Sequence, residues 1–400
     1  MNTHFDLIAI GGGSGGLAVA ERAAQYGKRV AIVESRKLGG TCVNNGCVPK
    51  KIMWYAANLA HAVDDAADFG ISATREITDW EKLVAGREAY ISRINRYWDN
   101  YVVDSGVVRI DGTARFIDAR TIEVEGRRYT ADHIAIATGG RPIVPPVPGA
   151  ALGITSDGFF ALTAQPRNVA IIGAGYIGVE FAGVLRALGS TVTLVALEGR
   201  VLEHFDDMIS DVLVGEMHKQ GIATRLGFQV AGLAQTAQGI ALDASDGQRL
   251  DGFDTVIWAV GRAPNTHGLD LHNAGIETRA NGIVPTDEAQ NTNVPGIYAL
   301  GDITGRTPLT PVAIAAGRRL AARLFGDQPD SRVDYTNVPS VVFSHPPIGT
   351  VGLTEQQARE RHSKVTVYKT EFTPMRHALS AHGMTTAMKL VCSGQREQVV

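Results

Sequence analysis

The chain has 400 residues, enough for two or three domains with apolar cores. Its net charge of −3 and its 20% of charged residues give no reason to expect nucleic acid or an anionic membrane as a partner. No apolar stretch approaches the roughly 20 residues of a membrane helix, and no basic segment precedes the first apolar run, so neither a membrane span nor a signal peptide is predicted. We therefore expect a protein of the reducing cytoplasm.

The beginning of the chain has the pattern of a dinucleotide-binding unit. Residues 5–10 form an apolar run typical of a buried parallel strand, and a first glycine loop follows at residues 11–16. A helical pattern covers residues 17–26, and a second strand is predicted at residues 28–33, before Glu34. A glycine-rich turn between strand and helix, with an acidic residue about 20 positions later, indicates a fold that binds a dinucleotide.

Two cysteines, Cys42 and Cys47, lie shortly after this unit in the segment GGTCVNNGCVPKK at residues 39–51. The intervening residues allow one helical turn that would bring the sulfurs within bonding distance, so we interpret the pair as a redox-active dithiol. A structural disulfide is disfavoured because the chain has only three cysteines and no secretory signal. No second Cys/His pair with ligand spacing follows, so no metal site is predicted.

The next stretch connects this unit to a second domain. A long helix is predicted at residues 79–103, short strands at 107–124, and an apolar strand at 133–137. The segment 141–149 is rich in proline and is interpreted as a crossing between domains.

A second dinucleotide unit follows the crossing. A strand is predicted at residues 169–172, a second glycine loop at 173–178, a helix at 179–188 and another strand at 192–195. The chain therefore carries two dinucleotide folds, which implies two cofactors, or one cofactor and one nucleotide substrate.

The last part of the chain returns to the first fold and then changes character. The apolar segment 297–300 leads to Asp302, a suitable acceptor for a ribitol or ribose hydroxyl, and a helix is predicted at residues 310–324 with proline in its first turn. From residue 332 the pattern is rich in strands and indicates a separate sheet domain, in which Cys392 is interpreted as a core strand residue.

These residues resemble the disulfide oxidoreductase flavoproteins, the class I pyridine nucleotide-disulfide oxidoreductases, and most closely those that act on glutathione disulfide. The resemblance covers the whole chain, and its specific stretches are residues 39–54, 173–183, 290–302, 310–320 and 341–355. It implies a homodimer with FAD that takes electrons from NADPH, with NADH possible, and reduces glutathione disulfide. Dihydrolipoamide dehydrogenase, another reductase of small disulfides, and a flavoprotein diaphorase without disulfide turnover are the alternatives.

The fold expected from these patterns and this resemblance is α/β, with two Rossmann-like dinucleotide-binding domains and an incomplete C-terminal α+β interface domain. The FAD-binding domain would take residues 1–147 and 271–331, the NAD(P)H-binding domain 148–270, and the interface domain 332–400. Neither nucleic acid nor a membrane is an expected partner.

The resemblance also implies roles for individual residues. Cys47 would lie next to the flavin, and Cys42 would attack the substrate disulfide as a thiolate whose pKa a helix N-terminus lowers. Lys50 and Glu180 would form an ion pair beside the flavin. The residues implied for FAD binding are Ser14, Gly15, Glu34, Thr41, Cys42, Lys50, Ala114, Asp302 and Thr310. Those implied for the pyridine nucleotide are Gly173, Gly175, Tyr176, Ile177, Glu180 and Arg262, and those for the substrate are Ser14, Trp98 and Arg318.

The second nucleotide site departs from the family's pattern. Where NADPH-preferring members carry two arginines for the 2′-phosphate, this chain has Leu197 and Glu203, and Ala196 stands where NAD-preferring members carry Glu. Arg200 is a candidate for binding a phosphate and Glu198 for binding ribose hydroxyls, with two solvated loop charges as the alternative. We therefore expect a weaker preference for NADPH than is usual in the family.

The substrate site and the end of the chain depart as well. A glutathione-contacting arginine of some relatives falls on Glu21, and a tyrosine above the substrate cleft falls on Trp98. The chain ends at Val400 before the His-Pro segment that would supply an acid–base histidine across the dimer, and His345 and His377 lie in other contexts. We expect the natural chain to continue, and the 400-residue polypeptide to be a poor disulfide reductase that aggregates.

Overall fold

The structure is a computed structural model and describes residues 3–400. Its first elements are β1 (His4–Ile10), α1 (Ser14–Gln25), β2 (Val30–Glu34), α2 (Gly40–Asn44), α3 (Cys47–Asp65), α4 (Trp80–Asp104), β3 (Val108–Asp111), β4 (Ala114–Phe116), β5 (Thr121–Val124), β6 (Arg127–Ile136) and β7 (Gly140–Pro142). There follow β8 (Ile154–Thr155), α5 (Ser156–Ala161), β9 (Asn168–Ile172), α6 (Tyr176–Ala187), β10 (Thr191–Val195), α7 (Asp207–Lys219), β11 (Ala223–Arg225), β12 (Val230–Gln235), β13 (Ile240–Ala244), β14 (Arg249–Phe253) and β15 (Thr255–Trp258). The last are β16 (Arg262–Pro264), β17 (Ile297–Ala299), α8 (Thr310–Phe325), β18 (Ser340–Val342), β19 (Ile348–Thr350), α9 (Glu355–Arg361), β20 (Val365–Phe372), β21 (Thr386–Ser393) and β22 (Gln398–Val399).

The chain divides into two compact units. Unit 1 contains the chain up to Pro49 together with Arg87–Arg141 and Arg262–Tyr335. Unit 2 contains Lys50–Gly86, Pro142–Gly261 and Thr336–Val400. The four-part division into FAD, NAD(P)H and interface segments stays a prediction.

Unit 1 is built on a sheet in the order β3-β2-β1-β6-β5-β4, with β17 pairing with β6. The strands β3, β2, β1, β6 and β17 run parallel, and Ile10 lies opposite both Val33 and Ile136. Because parallel strands end at the same edge, the first glycine loop and Glu34 meet there.

Unit 2 repeats this arrangement with the all-parallel sheet β11-β10-β9-β15-β8. Ile172 lies opposite Val195 and Trp258, so the second glycine loop and the segment after β10 share one edge. Three antiparallel groups complete the unit: β12-β13-β14, β18-β19 and β20-β21-β22.

Alternating side chains give the unit 1 sheet a core on each face. Ile8 and Ile134 pack into one cluster, while Leu7 packs with Leu17 and Leu320 beneath α1 and α8. Within residues 3–400 no helix is both long and apolar enough to cross a bilayer.

The predicted fold class is confirmed, but several boundaries were wrong. The helix after the first glycine loop begins at Ser14 rather than residue 17. The helix after the second glycine loop begins at Tyr176 rather than residue 179. Gly15 and Gly16 belong to the first turn of α1, and Gly178 belongs to the first turn of α6. A Cβ on Gly16 would lie 1.8 Å from Gly11 O. The strand predicted at residues 133–137 is the end of the longer β6.

Candidate active site

The first glycine loop is fixed to the acidic end of β2. The Gly12 N–H donates to Glu34 Oε2 at 2.7 Å, and the Arg36 N–H donates to Oε1 at 2.8 Å. The contact of Gly16 with the Gly11 carbonyl leaves no room for a side chain. The loop therefore presents backbone N–H groups of a helix N-terminus beside a fixed carboxylate, which suits a pyrophosphate and a ribose hydroxyl.

Asp302 lies in a short 3₁₀ turn shortly after β17, next to Gly301 with its φ of 78°. Burial raises the pKa of the Asp302 carboxyl, and the positive charge of Arg262 opposes this effect. The Arg262 guanidinium donates to the Gly140 carbonyl. Of the other residues implied for FAD binding, Ala114 is buried at the start of β4, and Thr41 lies in α2.

The two cysteines occupy adjacent helices. Cys42 lies in α2, which ends at Asn44, and Cys47 is the first residue of α3. The expectation of one continuous helical turn was therefore wrong: the chain turns at Gly46, where a Cβ would lie 2.8 Å from Thr41 O. The two cysteines are in the thiol state, without a disulfide between them, and their side chains are hydrogen-bonded to each other.

The surroundings of the thiol pair determine which sulfur keeps the proton. The hydrogen bond with Cys47, followed by burial and the charge of Cys47, raises the pKa of the Cys42 thiol. Hydrogen bonds to Thr310 and Ser14 act in the opposite direction, and Thr310 Oγ1 also lies 3.7 Å from Cys47 Sγ. The lowered pKa expected for the attacking thiol is thus not found at Cys42, because the hydrogen bond with Cys47 and burial outweigh the bonds from Thr310 and Ser14.

Lys50 and Glu180 form an ion pair in unit 2. Lys50 Nζ lies 2.6 Å from Glu180 Oε1, and the same oxygen accepts the Phe343 N–H at 2.9 Å. The ammonium also lies 4.0 Å from the centre of the Phe343 ring. Burial raises the pKa of Glu180, while Lys50 and the Phe343 N–H oppose the shift. The expected pairing is present, and its role beside a flavin stays a prediction.

The second glycine loop is built like the first. Gly173 has a φ of 115°, and a Cβ on Gly178 would lie 2.0 Å from Gly173 O. A Cβ on Gly175 would meet no atom within 4 Å, and the exposed Tyr176 begins α6, followed by Ile177. Unit 2 thus contains four positions implied for the pyridine nucleotide: Gly173, Gly175, Tyr176 and Ile177. Arg262, also implied for that site, belongs to unit 1.

The segment after β10 offers few cations for a 2′-phosphate. Leu197 is exposed and Ala196 is buried. Arg200 is already bound: its guanidinium lies 2.9 Å from Asp207 Oδ1 and 2.5 Å from Asp211 Oδ1. The structure thus shows Arg200 in ion pairs with two aspartates, which neither the phosphate-binding reading nor the solvated-charge reading had named.

The residues implied for the substrate all belong to unit 1. Ser14 reaches the Cys42 thiol, and Arg318 is an exposed residue of α8. Trp98 packs at the edge of the unit 1 core, with its ring 5.4 Å from Tyr97 and 5.7 Å from Tyr101 in edge-to-face contacts. A role for Trp98 above the substrate stays a prediction.

The two histidines named from the sequence differ from the acid–base group that they were compared with. His345 is 3% exposed, and within the described chain neither of its ring nitrogens has a hydrogen-bond partner. Burial, reinforced by the charge of His61, lowers the pKa of His345 to about 3. His377 Nδ1 lies 3.9 Å from Asp65 Oδ2. His345 is thus held as the neutral imidazole and is not an imidazolium acid near neutral pH.

Sequence reasoning missed the partners that depend on long-range contacts. Phe343, whose N–H binds Glu180, has no local signal, because any non-proline residue supplies that donor. Lys389 and Asp206 form a second buried ion pair that periodicity alone does not reveal. Among residues 3–400, no three His, Cys, Asp or Glu side chains are grouped so that they could hold a metal ion.

Comparisons with known proteins agree with this geometry. Residues 5–317 match the family described as pyridine nucleotide-disulphide oxidoreductase, and residues 338–400 match its dimerisation domain. A glutathione reductase of Schizosaccharomyces pombe is 44% identical over 99% of this chain and 88% of its own length, and one of Yarrowia lipolytica is 42% identical over 99% and 89%.

A solved structure of similar fold is the HOCl-induced flavoprotein disulfide reductase RclA from Escherichia coli. In its Cu(II) complex it superimposes with a TM-score of 0.89 over 100% of this chain and 88% of the other, at 27% identity. A second structure of RclA gives a TM-score of 0.87 over 99% of this chain and 88% of the other, also at 27% identity.

Proposed function

Since the chain belongs to the pyridine nucleotide-disulphide oxidoreductase family, we propose that it reduces glutathione disulfide with electrons from NADPH, through FAD and the Cys42–Cys47 dithiol. The observation that carries the proposal is the hydrogen-bonded thiol pair in the same unit as the first glycine loop and Glu34. The choice of glutathione rests on the two reductases that are 44% and 42% identical to the chain. The dimerisation domain at residues 338–400 favours a homodimer.

The residues of unit 1 fit FAD. The close approach of Gly16 to Gly11 O frees the N-terminus of α1 for a pyrophosphate, and Glu34 is fixed beside it to accept a ribose hydroxyl. Burial raises the pKa of the Asp302 carboxyl, so a hydrogen bond donated by a ribitol hydroxyl would stabilise its charged form. When bound, FAD supplies the transfer of an electron pair from the reduced pyridine nucleotide to the Cys42–Cys47 disulfide.

The thiol chemistry follows from the pair itself. The Cys42 thiolate attacks one sulfur of glutathione disulfide, the S–S bond breaks, and the departing glutathione takes up the proton that Cys42 released. Cys47 then attacks the Cys42 sulfur of this mixed disulfide, which releases the second glutathione and closes the Cys42–Cys47 disulfide. Two electrons from the coenzyme return the pair to the dithiol state.

The other residues position the dithiol and adjust its protonation. Thr310 and Ser14 stabilise the thiolate of Cys42 by hydrogen bonds, against the effect of burial. In unit 2 the Phe343 N–H and Lys50 fix the Glu180 carboxylate in one orientation. The Lys50 ammonium thereby supplies a fixed positive charge three residues after Cys47 in the chain.

A steady-state assay of the purified, FAD-loaded protein tests the proposal. NADPH oxidation is measured with glutathione disulfide, with lipoamide, and with an artificial dye, and each assay is repeated with NADH. We expect glutathione disulfide to be reduced by the wild type, and Cys42→Ser and Cys47→Ser to retain only dye reduction. Reduction should give the wild type a long-wavelength absorbance band that Cys47→Ser lacks. A protein that reduces the dye or lipoamide but does not reduce glutathione disulfide would overturn the proposal.

A further inference from the structure

Lys389 of β21 is a largely buried cation in unit 2. Its ammonium lies 2.8 Å and 2.9 Å from the two carboxylate oxygens of Asp206 and 2.6 Å from Glu355 Oε2. The Lys389 side chain is 7% exposed and that of Asp206 is 10% exposed. The three side chains line a cavity of about 560 Å³.

All three groups are held in their charged forms. Hydrogen bonds from Lys389 and Arg359 lower the pKa of Glu355 to about 2. Burial opposes ionisation of Asp206 and Lys389, but their hydrogen bonds outweigh it, so the pKa of Asp206 is lowered and that of Lys389 is raised. Removing one member would leave the others buried without their counter-charge.

Asp206 ends the loop between β10 and α7 (residues 196–206), here called the β10–α7 loop. Asp206 caps α7 by accepting the Met208 N–H at 3.0 Å, and it also accepts the Glu355 N–H at 2.9 Å. Halfway along, the Leu202 N–H donates to Ala174 O of the second glycine loop at 2.9 Å. The loop is therefore fixed at Ala174 and at Asp206, while Leu197 is exposed.

The position of this loop relates the ion pair to nucleotide binding. In a dinucleotide fold the segment after the second strand meets the adenosine ribose, and here that segment is the β10–α7 loop. The loop is attached to the region of the dimerisation domain through Lys389 and Glu355. The Lys389 ammonium thus fixes Asp206, the last residue of the β10–α7 loop.

We propose that Lys389 is a positioning residue for the pyridine nucleotide: through Asp206 it holds the β10–α7 loop in the conformation that binds the adenosine ribose. This inference rests on the proposed function only for the identity of the coenzyme. It requires that loss of the Lys389 charge weakens coenzyme binding, while the dithiol and the disulfide site in unit 1 are unaffected.

The test is direct binding of oxidised coenzyme to FAD-loaded protein by isothermal titration, which needs no disulfide turnover. Lys389→Met keeps the length of the side chain and removes its charge, and Lys364→Met changes an exposed lysine just before β20 as the matched control. We expect Kd for NADP⁺ to rise by at least about fivefold in Lys389→Met, in the range of ordinary site-to-site coupling. The KM for glutathione disulfide should stay unchanged in both variants.

Chemical rescue separates positioning from a purely structural role. The cavity beside Lys389 admits small molecules, so ethylammonium chloride should restore NADP⁺ binding to Lys389→Ala, and tetramethylammonium chloride should not. Where Lys389→Met does not fold, Asp206→Asn replaces it, because the amide keeps the shape and removes the charge through which Lys389 acts. A folded variant that binds NADP⁺ as the wild type does overturns the inference. If the wild type binds neither NADP⁺ nor NAD⁺, it is the proposed function that fails.

Discussion

Lys50 Nζ lies 2.6 Å from Glu180 Oε1 in a setting that leaves the two side chains only 14% and 4% exposed. The pair joins α3, which begins at Cys47, to α6, which begins at the second glycine loop. Both partners belong to unit 2, so the contact fixes Lys50 to α6 within that unit.

Breaking this buried pair should cost more free energy of unfolding than breaking an exposed pair. Glu180→Gln leaves the Lys50 ammonium without its counter-charge and should lower the free energy of unfolding by about 3–5 kcal/mol. The exposed pair Arg249–Asp243 is the matched control, and Arg249→Met should cost less than about 1 kcal/mol. Urea unfolding of the variants measures both values, and equal losses would contradict the prediction.

Lys50→Met should give a loss that depends on pH. Without Lys50, burial raises the pKa of Glu180 further, above the ordinary 4.5 of a free carboxyl. A raised carboxyl pKa stabilises the folded state below the unfolded value, and this contribution is lost as pH rises through the folded pKa. Lys50→Met should therefore be more destabilising at pH 8 than at pH 5, as measured by urea unfolding. A difference that is constant with pH would show that Glu180 is not the group that titrates.

The Lys50–Glu180 pairing was predicted from sequence resemblance, whereas its third member was not. Glycine loops, apolar strands and the acidic residues that follow them are local patterns, and they located both nucleotide units. Phe343, the residue after β18, contributes a backbone N–H from 163 residues away from Glu180, and no local pattern encodes such a contact. The partners of Arg200 are only 7 and 11 residues away, but whether its guanidinium reaches them depends on the path of the β10–α7 loop rather than on a sequence pattern.

The break between α2 and α3 was missed for a different reason. Spacing alone allowed one turn for Cys42 and Cys47, and only the packing of Gly46 against Thr41 O determines that the chain bends there. The consequence is that each cysteine lies in the first turn of its own helix, Cys42 in α2 and Cys47 in α3.

Thr310 should set the pH at which the dithiol reacts. Its hydroxyl lowers the pKa of Cys42, so Thr310→Val should raise that pKa and slow attack on glutathione disulfide at neutral pH. One hydrogen bond is worth about 1 kcal/mol, which corresponds to a rate roughly fivefold lower. Stopped-flow oxidation of the reduced protein at neutral pH measures this rate. Thr307→Val, outside the thiol contacts, is the control, and a Thr310→Val rate equal to that of the wild type would argue against this role.

Buried His345 should make the protein less stable in mild acid. Its folded pKa of about 3 lies below the unfolded 6.5, so its contribution is complete above pH 6.5 and is lost as pH falls toward 3. The slope from one such group is about 1.4 kcal/mol per pH unit. Urea unfolding between pH 7 and pH 4.5 should show a shallower slope for His345→Gln than for the wild type. The exposed His382→Gln should keep the wild-type slope, and parallel slopes for all three proteins would rule out His345 as the source.

Coenzyme choice should be weakly selective, because the candidate cation is already neutralised. Arg200 is bound by Asp207 and Asp211. Neither Leu197 nor Glu203 offers a positive charge to a 2′-phosphate. Each missing charged hydrogen bond is worth about 1.5–3 kcal/mol. We therefore expect NADPH to be favoured over NADH in kcat/KM by less than about a thousandfold, or roughly 4 kcal/mol.

The aspartates that hold Arg200 provide the sharper test of this explanation. The double variant Asp207→Asn/Asp211→Asn keeps the shape of both side chains and removes two negative charges, so the Arg200 guanidinium is released for the 2′-phosphate. Its ratio of kcat/KM for NADPH over NADH should rise above that of the wild type, mainly through a lower KM for NADPH. Adding Arg200→Gln to the double variant should return the ratio to the wild-type value. If the ratio rises and the third substitution leaves it high, a cation other than Arg200 binds the phosphate.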